Sequence, residues 1–465
     1  MTNKKYLLAA VCLVHFILGL DINIVSVSLP AISSHFNVNA SGASRIVWVY
    51  FLILTGFLPG FGRLGDLIGF KKLFLSGIFI FFIGSILNSL SLNLNFLVIA
   101  RAFQALGTAV LFALTPAIIS SYIDENIKGR AFGINYIFTA LGGVVGRSSS
   151  GFITNAFGWN SVFLITIPFA IGALVLSYFF VPDIKQKNTS GKFDIAGSFL
   201  IFIALLSFLF VMNSGNDYGW LSSEIISLSA ISVIFFTGFF IRQKKATYPL
   251  LKLGLFKKSS ITFHLLIFMI VYIITNGMIF ITPFFLQLMK GFDGKEAGLL
   301  MTIPSVLQMI FGFLSGYLSD KIYIRKILFA GFITVLVSFV MFLFSGAGMH
   351  LFFIISALTI YGAAIGFLIP ANTNTVMKFA PDEDKGSISS IMTTTVRAGS
   401  AIGVCIFSAI FSIYVPQKNP LKANLPEEIL SKGFFAVFIF GIAVSLIGLI
   451  LVNFTAQKKI ISADS

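Results

Sequence analysis

Four ionisable side chains stand inside stretches that are otherwise apolar: Asp21, Arg101, Arg147 and Arg397. A charge at the centre of a bilayer costs at least about 2.5–3.5 kcal/mol on insertion scales, so each needs a partner or a task. At ~1.5 Å per helical residue, Asp21 lies about 22 Å from the start of an outward-running segment. Arg101 lies about 9 Å below the outer face in an inward-running one. Both therefore fall in the outer half at similar depth. A guanidinium beside a carboxylate favours the ionised form, and desolvation favours the protonated form. A carboxylate held in that competition can load and release a proton; a static ion pair would use the same two residues. Arg147 falls about 25 Å along its own segment, near the same level. It would add positive potential to a cavity and favour anionic or zwitterionic cargo, or it would snorkel to the outer interface. Arg397 stands near mid-depth, where it faces protein or water, in a structural role or in contact with substrate. Asn23, Gln104, Asn276, Gln287 and Asn372 are polar residues inside spans, candidates for contact with cargo. Interhelical hydrogen bonds averaging ~0.6 kcal/mol are their other reading.

The elements that must carry these residues follow from composition. Of 465 residues, 57% are hydrophobic and only 11% charged, against about 25% charged in an ordinary soluble domain. So little polar surface excludes a soluble enzyme, a disordered chain and a secreted disulfide scaffold. A spanning helix needs about 20 apolar residues. Fourteen segments meet that rule, from 6–29 to 433–455, with 95–121, 130–154 and 387–414 carrying the three arginines. The first is read as a retained span, because it holds Asp21 and no small-residue cleavage site follows it. The net charge is +15. Lys71, Lys72, Lys128, Arg130, Arg242, Lys244, Lys245, Arg325 and Lys326 fall on one side of the predicted membrane. Arg45, Lys290, Lys295, Lys418, Lys422 and Lys432 fall on the other. The larger set marks the cytoplasm and puts both termini there. No basic helix or arginine-rich arm is present, so nucleic acid is not an expected partner. Cys12 and Cys405 lie in apolar runs without metal-type spacing and read as buried free thiols. A phosphate loop, a zinc helix and a nucleophile elbow are all missing, so neither an enzyme nor a cofactor is expected.

The chain also repeats itself. Gly62, Asp66, Lys71 and Lys72 after the second span match Gly316, Asp320, Arg325 and Lys326 after the tenth, at one constant offset of 254. The glycines would let helices approach closely, and the aspartates would cap or pair with bases across a tight cytoplasmic turn, forming a latch. Six spans, two extra spans and six spans is the resulting parse: 1–182, 183–260 and 261–465. Internal repeats around a midplane site are the architecture of secondary transporters.

With these motifs the sequence resembles the major facilitator superfamily, and within it the fourteen-span drug–proton antiporter family. The loop Gly62–Lys72 is similar to the superfamily's hallmark loop, with Leu67 where a base usually follows the aspartate. Leu20–Pro30, Arg101–Gly107, Phe193–Gly197 and Thr282–Gln287 resemble the family's other signatures in order, with Ala105 replacing a usual glycine. Gly133, Gly142, Gly146 and Gly151 fall at the spacings of its fifth-span packing motif, but Arg147 replaces the proline and Ser150 a glycine. The resemblance implies an all-α membrane protein of 6+2+6 helices with two pseudo-symmetric halves. It implies spans one and four lining a central cavity, so that Asp21 and Arg101 can meet and couple to protons. It implies proton-driven export of drugs or other small amphipathic molecules by a monomer in a prokaryotic cell membrane. The alternative keeps the fold and changes the cargo to an endogenous anionic or zwitterionic solute or lipid precursor, imported or exported.

Overall fold

A computed structural model of the chain describes residues 2–123, 125–182, 194–246, 259–319, 322–344, 350–379, 385–416, 420–421 and 425–455. Among the described residues there is no strand. In hydrocarbon every backbone amide must be satisfied within its own segment, which leaves long apolar runs the helix. The helices are α1 (Thr2–His35), α2 (Ala40–Ile68), α3 (Phe70–Ser89), α4 (Leu94–Tyr122) and α5 (Glu125–Phe157). Next come α6, broken at Ile165 into Ser161–Leu164 and Thr166–Phe180, then α7 (Ile195–Tyr218) and α8 (Ser223–Lys245). The last six are α9 (Ser259–Phe284, continued by a π turn over Phe285–Met289), α10 (Gly294–Ser319), α11 (Ile324–Leu343), α12 (Leu351–Phe379), α13 (Lys385–Tyr414) and α14 (Glu427–Asn453). The fold is the expected all-α arrangement of six, two and six helices.

Thirteen of the described helices are long and apolar enough to cross a membrane. The remaining one, α5, has 33 residues and so a length of roughly 50 Å. It is more polar, because Asn135, Arg147 and the run Ser148–Ser150 lie on it.

Local chemistry sets several helix starts. Asn39 Oδ1 accepts from Gly42 N at 2.8 Å, Asn93 Oδ1 from Phe96 N at 2.8 Å and Asp194 Oδ1 from Gly197 N at 2.9 Å. Each satisfies an amide that the first turn leaves free. Between α2 and α3 a single residue, Gly69 at φ 96°, reverses the chain. A side chain would strain that conformation, so the tight turn of the repeated loop depends on glycine.

The first six helices form one bundle, with α1 against α5 and α6 and α4 against α2 and α3. The last six form another, with α9 against α13, and α12 against α10 and α11. The bundles meet along two seams, α2 with α13 and α5 with α10. Helix α7 lies against both α2 and α13, and α8 leans on α7, with Val233, Ile234 and Phe240 exposed on its surface. In the second bundle, rings of Phe285, Phe434 and Phe438 interlock edge to face at 5.2 and 5.5 Å. Other phenylalanines, such as Phe79, Phe179, Phe313 and Phe352, are exposed on the helix surfaces.

The two seams close at the predicted outer end. Ser41 N donates to Ser412 Oγ at 3.1 Å, and Ser408 Oγ to Ser44 Oγ at 3.1 Å. Asn213 on α7 ties both sides together, donating to Ser44 Oγ at 2.7 Å and Ser408 Oγ at 3.5 Å. On the other seam Gly151 meets the backbone of Gly294, and the space a Cβ would need at Gly298 lies 2.7 Å from the Arg147 carbonyl. At the opposite end, Cβ positions at Gly62, Gly133 and Gly316 meet nothing within 4 Å. The close approach expected at these three glycines is absent in this structure, where each has open space beside it. Gly142 and Gly146 press on α1 within their own bundle, and of the four glycines of the α5 packing motif Gly151 is the one that touches the other half.

Candidate functional site

Helices α1 and α4 bring Asp21 and Arg101 together. Arg101 Nη1 donates to Asp21 Oδ1 at 3.0 Å and to Oδ2 at 3.1 Å. The carboxylate is fully buried and the guanidinium 2% exposed. Gln104, one turn beyond Arg101, closes the group: its Oε1 accepts from Arg101 Nη1 at 2.6 Å and its Nε2 donates to Asp21 Oδ1 at 3.2 Å. Gln104 Nε2 also donates to Ser85 Oγ at 2.9 Å, and Asn88 Nδ2 donates to Gln104 Oε1 at 2.8 Å. The ring of Tyr50 covers the guanidinium, 4.3 Å from its centroid, with Phe163 at 5.6 Å. Cation–π contacts of this kind are worth about 2 kcal/mol or more once desolvated. Arg101 Nε has no hydrogen-bond partner. The Gln104 amide thus gives the carboxylate a second polar partner beside the guanidinium.

In front of this group lies a cavity between the halves, about 950 Å³ including its open mouth. Ile22, Asn23 and Phe51, the immediate chain neighbours of Asp21 and Tyr50, form part of its wall. Tyr136, Thr139, Gly143 and Arg147 of α5 continue it. Tyr272 and Asn276 of α9, Ser305 and Gln308 of α10, and Arg397 and Ser400 of α13 complete the far side. The Arg147 guanidinium donates across the halves to Ser305 Oγ. The Arg397 guanidinium lies over the Phe112 ring, 4.3 Å from its centroid. The Nε of each is buried without a partner, and neither arginine has a carboxylate partner among the described residues. Among the described residues no Asp or Glu lines the cavity.

Asn23, Arg147, Asn276 and Arg397 of the sequence candidates therefore share one cavity wall, and the other candidates stand elsewhere. Gln104 belongs to the buried carboxylate group. Gln287, in the π turn after α9, donates to Val27 O at 3.3 Å and so bridges the halves near the outer closure. Asn372 is engaged with His264: its Oδ1 meets His264 Nδ1 at 2.6 Å and its Nδ2 donates to His264 O at 2.9 Å. Tyr50, Tyr136, Tyr272, Ser305 and Ser400 are the residues sequence reasoning missed. A tyrosine or serine in a span carries no charge to mark it, and only its helical phase relative to a known cavity residue could have singled it out.

Of the expected latch, Asp320 lies outside the described residues, as does the side chain of Asp66. Lys71 stands over the Tyr178 ring at 5.5 Å, and Arg325 Nη2 donates to Asn453 Oδ1 at 2.7 Å. Each contact stays within its own bundle. Among the described residues no group of three or more His, Cys, Asp or Glu could hold a metal ion. Cys12 and Cys405 are buried and free.

Comparison with known proteins agrees with this architecture. The chain is 30% identical to the riboflavin transporter RibZ of Clostridioides difficile, over 98% of this chain and 99% of that one. It is 26% identical to the multidrug transporter protein MdtP of Bacillus subtilis, over 88% of this chain and 76% of that one. Among solved structures, a bacterial homologue of the lysosomal transporter Spinster in an inward-facing, occupied conformation aligns with TM-score 0.70 at 14% identity, covering 98% and 96% of the two chains. A D-xylose–proton symporter aligns with TM-score 0.69 at 15% identity and 98% coverage of both. The profile of the Major Facilitator Superfamily matches residues 11–404, and the chain is a member of that superfamily of membrane transporters.

Proposed function

We propose that the protein is a proton-coupled secondary transporter that exports small amphipathic molecules from the cell by alternating access. The observation that carries this reading is the buried Asp21–Arg101–Gln104 group directly behind the cavity wall. A carboxylate that swaps a proton there changes the charge balance beside the cargo space. In the outward-facing state Asp21 takes a proton and loosens from Arg101. The halves rock, the outer seams close, and the inward-facing cavity releases the proton and loads cargo. The basic loops support a membrane orientation with both termini in the cytoplasm. In that orientation the end with open space at Gly62 and Gly316 faces inward. The parse into two transporting halves, 1–182 and 261–465, with 183–260 as an added pair, is supported by the seams α2–α13 and α5–α10. One chain supplies the whole pathway and is proposed to work as a monomer in the cell membrane. Likeness to RibZ and MdtP supports planar, amphipathic cargo.

The test is dye retention in a drug-sensitive strain expressing the protein, with and without an uncoupler. Export predicts low retention that rises when the proton gradient collapses. Gradient-driven accumulation would instead make the protein an importer.

A further inference from the structure

We infer that the cargo is anionic and is held between Arg147 and Arg397, one guanidinium from each half. This deepens the transporter reading and rests on it.

Among the described residues the cavity is lined by two positive charges, Arg147 and Arg397, and by no carboxylate. Asp21, next in sequence to the lining residue Ile22, is already bound by Arg101. Burying a cation without a counter-charge is unfavourable, and an anion entering the cavity relieves that cost for both arginines. Guanidinium is the side chain best suited to carboxylate, sulfonate or phosphate, because its fixed fork of donors matches their oxygens. Each guanidinium retains an unpartnered, buried Nε. Arg147 is 8% exposed and spends one nitrogen on Ser305 Oγ. Arg397 is braced by the face of Phe112 rather than by an acid. Around them, Phe51, Tyr136, Tyr272, Ile279 and Met309 supply an aromatic and apolar wall. The combination selects a planar or aromatic body with one or two negative charges.

The placement of the pair also ties binding to motion. Arg147 is on α5 of the first bundle and Arg397 on α13 of the second. Arg397 stands one helical turn from the position that the offset of 254 assigns to Arg147, so the two arginines occupy near-equivalent places in the repeat. An anion held by both bridges the halves. Arg147 also touches α10 through Ser305 and lies against Gly298 with its carbonyl. The anion and the outer seam therefore share one residue.

The test is equilibrium binding to purified full-length protein in neutral-lipid nanodiscs, without any gradient. Fluorescence anisotropy would compare fluorescein with rhodamine 123, which share a xanthene scaffold and differ in charge sign. The expected result is saturable fluorescein binding at least about tenfold tighter than rhodamine 123, weakening as salt rises. Arg147→Gln and Arg397→Gln should each weaken fluorescein binding about tenfold, with Arg147→Lys and Arg397→Lys recovering part of it. Rhodamine 123 binding should be unchanged or tighter in the glutamine variants. Monodisperse elution and an unchanged melting midpoint show that each variant is folded. Tighter binding of rhodamine 123 by the wild-type protein, no saturable fluorescein binding, or fluorescein affinity indifferent to both glutamine substitutions would overturn the inference. Because no gradient is involved, failure of proton coupling or of export leaves this result unaffected, and the two readings fail separately.

Discussion

Arg101 Nη1 reaches both oxygens of Asp21, at 3.0 and 3.1 Å, and neither side chain has appreciable access to solvent. The pair joins the first helix to the fourth at the level of the cavity, and Gln104 and Tyr50 complete its surroundings. Its geometry defines what each partner does for the other and where the cost of losing one falls.

Removing the cation leaves a buried carboxylate without its counter-charge, which costs about 3–5 kcal/mol when a buried pair is broken from one side. Arg101→Met is therefore expected to lower the melting midpoint in detergent sharply. Asp21→Asn added to that variant should recover part of the loss, because both charges are then gone. A double variant as unstable as the sum of the two singles would show that the residues do not interact.

How much of this was legible in the sequence depends on charge. Asp21 and Arg101 stood out because ionisable residues are conspicuous in apolar runs, and their depths matched by simple counting along helices. Arg147 and Arg397 stood out for the same reason, and both reach the cavity. Gln104, Gln287 and Asn372 were conspicuous as polar residues, yet an amide serves equally well as cargo contact or as a link between helices. Only the rotation of each helix decides which, and a one-dimensional pattern in an all-round apolar helix does not record rotation. The glycines at positions 62, 133 and 316 were expected to sit in close contacts, and a Cβ at each meets open space here. A sequence encodes all conformations of a transporter at once, and the structure displays one.

That difference gives a prediction that separates two glycines of one helix. A Cβ at Gly146 would meet Leu20 O at 2.7 Å and Ile24 N at 3.1 Å, both backbone atoms of α1. Gly146→Val should abolish folded protein, read as lost monodisperse elution. Gly133 has open space, so Gly133→Ala should keep or slightly raise stability, by up to about 1 kcal/mol from helix propensity. Equal damage at both positions would contradict the open conformation described.

The outer closure rests on hydrogen bonds that α7 shares with both halves. Asn213 binds Ser44 of α2 and Ser408 of α13. Asn213→Leu removes those bonds and is expected to loosen the outer seam. A Ser412→Cys reporter on the buried-thiol background of Cys12 and Cys405 should then react several-fold faster with an impermeant maleimide applied from outside. Unchanged labelling would mean that α7 is bystander rather than fastening.

The measurement closest to the central claim is transport by the Asp21→Asn variant in proteoliposomes. The reading developed above predicts that cargo exchange without a gradient survives, because the cavity and the rocking halves are intact. It predicts that a proton gradient no longer drives net movement. Gradient-driven transport at the wild-type rate in that variant would contradict it.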